Sequence, residues 1–144
     1  MGKITAASPT LFRATKTTTT QTTVGTTTLF TVTGEVLIEA ILGYVSQAGT
    51  ADAGTGTVTA TLGVTGSVSL FIGSMDWILL LINTFYVDAT PDANGIALPA
   101  AMKDIVITDN ILLTVSSSGS KLPTAGIIRF DVLWRPLSAN GNIA

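Results

Sequence analysis

The 144 residues include no cysteine and no histidine, only 11% of them are charged, and the formal net charge is −2. The absence of cysteine excludes disulfides and thiolate chemistry, and the absence of histidine removes the usual general base and the commonest metal ligand. We therefore expect that the protein is not an enzyme and that it has no cofactor and no metal site. The longest uninterrupted apolar run, WILLLI at 77–82, is far shorter than the roughly 20 residues of a membrane-spanning helix, so we expect no membrane partner.

The N-terminal segment is dominated by threonine, which accounts for ten of the fourteen residues from 15 to 28. It lacks the proline of a mucin-like stalk, and of the glycine and serine of a flexible linker it has only Gly25, whereas threonine favours extended backbone. Lys3, Arg13 and Lys16 are the only charges among the first 25 residues, and the remainder carries a net charge of −5. We therefore predict that residues 1–25 form an extended arm that contacts a partner surface, with an unstructured tail as the alternative. Three cations are too few for nucleic-acid binding.

Period-two alternation of apolar and polar residues dominates the rest of the chain and predicts β-strands. Val58, Ala60, Leu62 and Val64 alternate with threonines, and Ile128, Phe130, Val132 and Trp134 alternate with polar residues before Pro136. Turn-forming segments separate about eight such strands, and no segment is a convincing helix. The sequence predicts an all-β protein, with residues 26–144 forming a single β-sandwich or jelly-roll-like domain behind the extended arm.

Two predicted strands carry apolar residues on both faces. In EVLIEAILGYV (35–45), Val36, Ile38, Ala40, Leu42 and Tyr44 would share the inner face, which leaves Leu37 and Ile41 outside between glutamates. The run 77–82 is apolar on both faces of a predicted strand, since it consists of Trp77, Ile78, Leu79, Leu80, Leu81 and Ile82. We predict that these residues, with Leu37 and Ile41, form the interface of a homo-oligomer. The alternative is that loops of the same chain cover them.

Two further candidate sites have simpler explanations. Asp88, Asp92 and Asn94 precede Gly95 with oxygen ligands at alternate positions, but the distal glutamate of a calcium loop is missing and an ordinary turn explains them. Trp77, Trp134 and Tyr86 would be the aromatic platform of a carbohydrate-binding module or adhesin. Both tryptophans are in phase with aliphatic residues, so burial in the core or in an interface is the favoured interpretation.

Three segments of the chain resemble a known group of proteins: TTTLFTVTGEVLIEAILGYVSQ (26–47), GTVTATLGVTG (56–66) and ILLTVSSSGSKLPTAGIIRFDVLWRPLSANG (111–141). They are similar to small structural proteins of tailed-bacteriophage virions, which share such a first strand, an LWRPL-type closing strand and a short polar end. The stretch from 67 to 110 departs from this pattern.

This resemblance implies a virion component made in the host cytoplasm and located on the capsid exterior. Its function would be that of a capsid decoration, or cement, protein that assembles as a homo-oligomer, often a trimer, and stabilises the phage head. Its partners would be further copies of itself and the major capsid protein. The arm, with Lys3, Arg13 and Lys16, would contact the capsid or an adjacent subunit. A tail, neck, head-fibre or minor coat component is the alternative within the same class.

Overall fold

The structure is a computed structural model that describes residues 10–87 and 104–144. In chain order the strands are β1 (Phe12–Thr17), β2 (Gly25–Phe30), β3 (Val32–Thr33), β4 (Val36–Ala51), β5 (Val58–Val64), β6 (Ser67–Asp76), β7 (Phe85–Tyr86), β8 (Ile105–Ile107), β9 (Ile111–Ser117), β10 (Pro123–Pro136) and β11 (Asn142–Ile143). A 3₁₀ turn, Trp77–Leu79, follows β6, and no α-helix occurs among the described residues. The predicted all-β fold class is confirmed.

Two antiparallel sheets and a short two-stranded ribbon make up the fold. The first sheet has the order β1-β10-β4-β7, and β8 also pairs with β4. The second has the order β2-β9-β5-β6, while β3 and β11 form the ribbon. The inward residues of both sheets form one hydrophobic core, in which the largest buried side chains include Phe30, Ile38, Leu62, Leu113 and Phe130. This arrangement fits a β-sandwich or jelly-roll-like domain.

The alternation of β5 and β10 is confirmed. The four predicted inner residues of each strand are buried: Val58, Ala60, Leu62 and Val64 in β5, and Ile128, Phe130, Val132 and Trp134 in β10. β10 pairs with β4 over almost its whole length and ends at Pro136, as predicted. These two long strands therefore form the centre of the first sheet.

The prediction for the inner face of β4 is correct only for its first half. Leu133 lies opposite Ala40 and Trp134 lies opposite Ile38, so Glu39 is an extra residue in β4. Such a bulge shifts the side-chain alternation by one position. After it, Ile41 and Val45 are fully buried while Leu42 and Tyr44 face outwards, partly exposed. The prediction of an outward-facing Ile41 is therefore wrong.

The segment predicted as a strand from Trp77 to Ile82 is not one. β6 ends at Asp76, whose carboxylate accepts a hydrogen bond from the backbone N–H of Ile78 and caps the 3₁₀ turn. Backbone hydrogen bonds within 77–84 then close a series of tight turns. The consecutive apolar residues therefore point in several directions instead of alternating between two faces.

Part of the predicted arm belongs to the sheet of its own chain. β1 pairs in antiparallel register with β10, from Phe12 opposite Trp134 to Thr17 opposite Arg129. Beyond β1, the N–H of Thr18 bonds the carbonyl of Ile128, and the Thr18 hydroxyl accepts from the N–H of Ile128. In the threonine-rich segment, the residues of β1 therefore pair with β10, whereas Gly25–Thr28 belong to β2 and pair with β9.

Candidate interaction surface

The most concentrated exposed apolar residues lie between the 3₁₀ turn and β7. Within eight positions, five large hydrophobic side chains are between 45% and 65% exposed: Ile78, Leu79, Leu81, Ile82 and Phe85. We call residues 77–85 the apolar loop. A contiguous apolar patch on a soluble domain marks a site of interaction with another molecule more often than scattered apolar residues do.

The apolar loop is anchored at its start by Trp77. This side chain is fully buried, and its indole N–H donates a hydrogen bond of 2.9 Å to the carbonyl oxygen of Ala125. Gly126 lies directly against the indole, since a Cβ there would be 2.3 Å from Cζ2 of Trp77. Its φ of +145° also favours glycine. The sequence AG at 125–126 therefore provides both a hydrogen-bond acceptor and the space that the indole ring occupies.

The rest of the loop is attached to the edge of β4. Leu80 is buried, and its carbonyl accepts a 2.9 Å hydrogen bond from the N–H of Gly49. Val45 exchanges two backbone hydrogen bonds of 2.9 Å with the loop, one with Asn83 and one with Thr84. Asn83 adopts a left-handed φ of 64°, which asparagine tolerates better than most residues. Because Trp77 and Leu80 point inwards on a fixed backbone, their apolar neighbours are held at the surface.

The exposed apolar area continues onto the outer face of β4. The Tyr44 hydroxyl donates a 2.7 Å hydrogen bond to Oδ1 of Asn83, and its ring packs edge-to-face on Phe85 at 5.8 Å. Leu42 shares this outer face, and so does Leu37, which lies opposite the half-exposed Val106 of β8. We define the apolar surface as the exposed apolar residues of the loop together with Leu37, Leu42, Tyr44 and Val106.

Ion pairs border the apolar surface on its β10 side. The Arg129 guanidinium lies 5.3 Å from the centre of the Tyr44 ring, and its Nε is 3.2 Å from Oδ2 of Asp131. Arg13 of β1 binds the other oxygen of Asp131 through Nη2 at 2.6 Å. Glu39, in the bulge, pairs with Arg135. An apolar centre with a polar, charged rim is the usual organisation of a protein–protein interface.

Hydrogen bonds determine the ionisation of Asp131. Partial burial by itself would raise the pKa of this carboxyl, but hydrogen bonds from Thr15 and Arg13 and the charges of Arg13 and Arg129 lower it below its ordinary value of 3.8. The carboxylate therefore stays charged in the folded protein at any pH near neutrality. It is the centre of a small network that connects β1 to β10.

The structure places five of the eight predicted interface residues on the apolar surface and three in the core. Leu37, Ile78, Leu79, Leu81 and Ile82 have exposed or partly exposed side chains. Ile41, Trp77 and Leu80 are at most 1% exposed, so a partner could not reach their side chains on this fold. The sequence prediction missed Leu42, Tyr44, Phe85 and Val106. The alternation that assigned Leu42 and Tyr44 to the core ignored the bulge, and Phe85 and Val106 lie in short strands with no periodic signal.

The three cations predicted to contact a capsid have different positions. Lys3 lies outside the described residues. Arg13 is engaged with Asp131, whereas Lys16 has an exposed side chain on β1 opposite Phe130. Arg13 thus contributes to the attachment of β1, whereas Lys16 lies exposed on the same strand.

The fold does not support the alternative sites that the sequence suggested. Trp77 and Tyr86 are fully buried and Trp134 is 5% exposed, with Phe12 stacked at 5.0 Å on its ring, so none of them offers a platform for a sugar. Asp88, Asp92 and Asn94 lie outside the described residues. In the described ranges, no three acidic side chains are grouped so that they could hold a metal ion, and no helix has the length and apolar character needed to cross a membrane.

Comparison with protein-family models, with curated proteins and with solved structures found no match for this chain.

Proposed function

We propose that this protein is a structural component of a tailed-bacteriophage virion: a decoration protein that forms a homo-oligomer, in our reading a trimer, on the outside of the capsid. The observation that carries the assembly step is the apolar surface. Its five exposed loop residues are held outwards by buried anchors, so they cannot turn into the core to escape water. Burial of apolar area at about 25 cal/mol per Å² makes association with a complementary surface favourable.

The decoration role is supported by two further features. The resemblance of segments 26–47, 56–66 and 111–141 to phage virion proteins points to the class, and the composition argues against catalysis. A structural protein on a repeating lattice needs a stable fold and contact surfaces, and several weak contacts per oligomer produce tight attachment through high effective concentration. The major capsid protein is the proposed partner. A tail, neck, head-fibre or minor coat component would use the same surface within a different assembly.

The assembly step is tested by light scattering behind size exclusion over a dilution series. We expect the wild-type chain to have the molar mass of a trimer that persists on dilution. The double variant Leu79→Ser, Leu81→Ser should be monomeric and folded, because both side chains are more than half exposed and contribute little to the core. Val68→Ser is the matched control, since Val68 is also exposed but lies on β6 of the other sheet. A wild-type monomer at every concentration would contradict the assembly.

The location is tested with virions of the phage that encodes the chain. Purified protein added to heads that lack it should bind to saturation, cover the heads evenly in electron micrographs and raise their resistance to heat. The Leu79→Ser, Leu81→Ser variant should bind with much lower avidity. Labelling confined to tails or necks would favour the alternative assembly.

A further inference from the structure

β1 is attached to the domain through its backbone pairing with β10 and a few side-chain contacts, and only weakly through burial. Five of its six side chains are exposed, and Ala14 is half-buried. Its contacts are the stack of Phe12 on Trp134, the hydrogen bonds of Arg13 and Thr15 to Asp131, and the ladder with β10. An edge strand with so little buried apolar area costs little to detach.

The connection from β1 to the rest of the chain is suited to a change of direction. β1 belongs to the first sheet and β2 to the second. The backbone N–H groups of Thr18 and Gln21 still bond the β10 carbonyls of Ile128 and Gly126, so the chain crosses between the sheets at residues 22–24. Gly25, at the start of β2, has a φ of +151° and open space where a Cβ would lie. Glycine is therefore required here by the backbone conformation and not by a lack of space, as expected at a hinge.

The side chains along the edge of β10 match those of β1. Without β1, the Trp134 ring, the half-covered edge beside Val132 and the Asp131 carboxylate would be exposed. The aromatic, basic and hydroxyl side chains that satisfy them come from Phe12, Arg13 and Thr15 in one register. A second copy of the chain carries the identical segment, so exchanging it preserves every contact.

We propose that β1 and the residues that follow it to Gln21 are exchanged between subunits, so that residues 12–21 of one copy bond β10 of a neighbouring copy. This inference rests on the proposed assembly, because the oligomer supplies the neighbour at high effective concentration. Residues 22–24, once extended, reach about 10 Å, and β1 lies two strand positions from β4, or about 10 Å from the apolar surface. The exchanged strand links subunits that the apolar surface has already brought together.

The test uses single cysteines, which the chain otherwise lacks. Ala14 and Val132 lie directly opposite each other in the β1–β10 register. Ala14→Cys and Val132→Cys chains are unfolded in urea, mixed in equal amounts, refolded together and oxidised. With full exchange and random mixing, about a quarter of the β1–β10 pairs should hold one cysteine from each chain and form an interchain disulfide. The double variant, which carries both cysteines, reports whether the pair closes within one chain.

Two controls separate exchange from misfolding and from chance contact. Thr17 and Arg129 are a second opposed pair, both exposed, and their cysteine variants repeat the test without changing the core. Thr61 and Thr114 face each other across β5 and β9, which stay within one chain in the proposal, so their mixture should give no interchain disulfide.

The outcomes distinguish the exchange from the assembly on which it rests. Interchain disulfides from both β1–β10 pairs, and none from the β5–β9 pair, support the exchange. An oligomer whose double variants close only within each chain overturns the exchange and leaves the assembly intact. A monomeric molar mass contradicts the assembly and the exchange together.

Discussion

Replacing Trp77 by alanine tests whether the apolar loop is held in place by its buried anchor. The side chain is fully buried between Gly49 and Gly126, and its indole N–H bonds the Ala125 carbonyl. Removing a buried tryptophan costs about 3–5 kcal/mol through lost burial and the cavity that remains. The lost hydrogen bond adds about 1 kcal/mol. We therefore expect Trp77→Ala to lower the free energy of unfolding by about 4–6 kcal/mol.

The assay is urea denaturation followed by far-ultraviolet circular dichroism at one fixed protein concentration, because assembly makes stability concentration-dependent. Trp77→Phe retains most of the apolar contact but no donor, so it should lose clearly less than Trp77→Ala. Val68→Ala, at an exposed position on β6, should change stability by no more than about 0.5 kcal/mol. A loss below about 1 kcal/mol for Trp77→Ala would refute the anchoring role, since it is incompatible with complete burial of this side chain.

Two further substitutions test the contacts around this anchor and around β1. Gly126→Ala places a methyl group against the indole of Trp77 at a φ of +145°, and overpacking should destabilise the protein by about 1–3 kcal/mol in the same denaturation assay. The pKa of Asp131 is lowered in the folded state, so its bonds to Arg13 and Thr15 stabilise the fold at pH values above the ordinary pKa of 3.8. This stabilisation is lost as the pH falls through the lower pKa of the folded state. Asp131→Asn should therefore speed amide exchange in β1 at neutral pH and reduce the further increase in exchange that we expect for the wild type on acidification. An unchanged acid response would contradict the role of this carboxylate.

The sequence predicted those elements in which every residue obeys one periodicity. In β5 and β10 the apolar residues occur at every second position without interruption, so the sheet face that each side chain occupies follows directly. In β4, a single extra residue made the same kind of prediction wrong after the bulge. The bulge at Glu39 depends on its pairing with β10, and pairing across a sheet is a tertiary property that local alternation does not contain.

The apolar loop failed as a strand prediction for a different reason. Six consecutive apolar residues satisfy every periodicity equally, so they distinguish neither a strand from a turn nor an inner from an outer face. The capping carboxylate of Asp76 and the glycine that receives Trp77 decided the geometry, and the latter is 49 positions along the chain. Surplus hydrophobicity was nevertheless a valid signal of exposed apolar area, because it depends on composition and not on phase.

The position of that surplus follows from the way in which the described core is filled. The interior between the two sheets already holds the inward residues of β4, β5, β9 and β10, together with Trp77 and Leu80. A sandwich of this size has one such interior, and close packing leaves no room in it for further large side chains. Each of the exposed residues Ile78, Leu79, Leu81 and Ile82 lies within two positions of the buried Trp77 or Leu80. β4 holds this backbone through four hydrogen bonds, so the exposed side chains cannot rotate inwards without breaking the anchors. Within the described part of the chain, their exposure is thus a consequence of how the fold is stabilised.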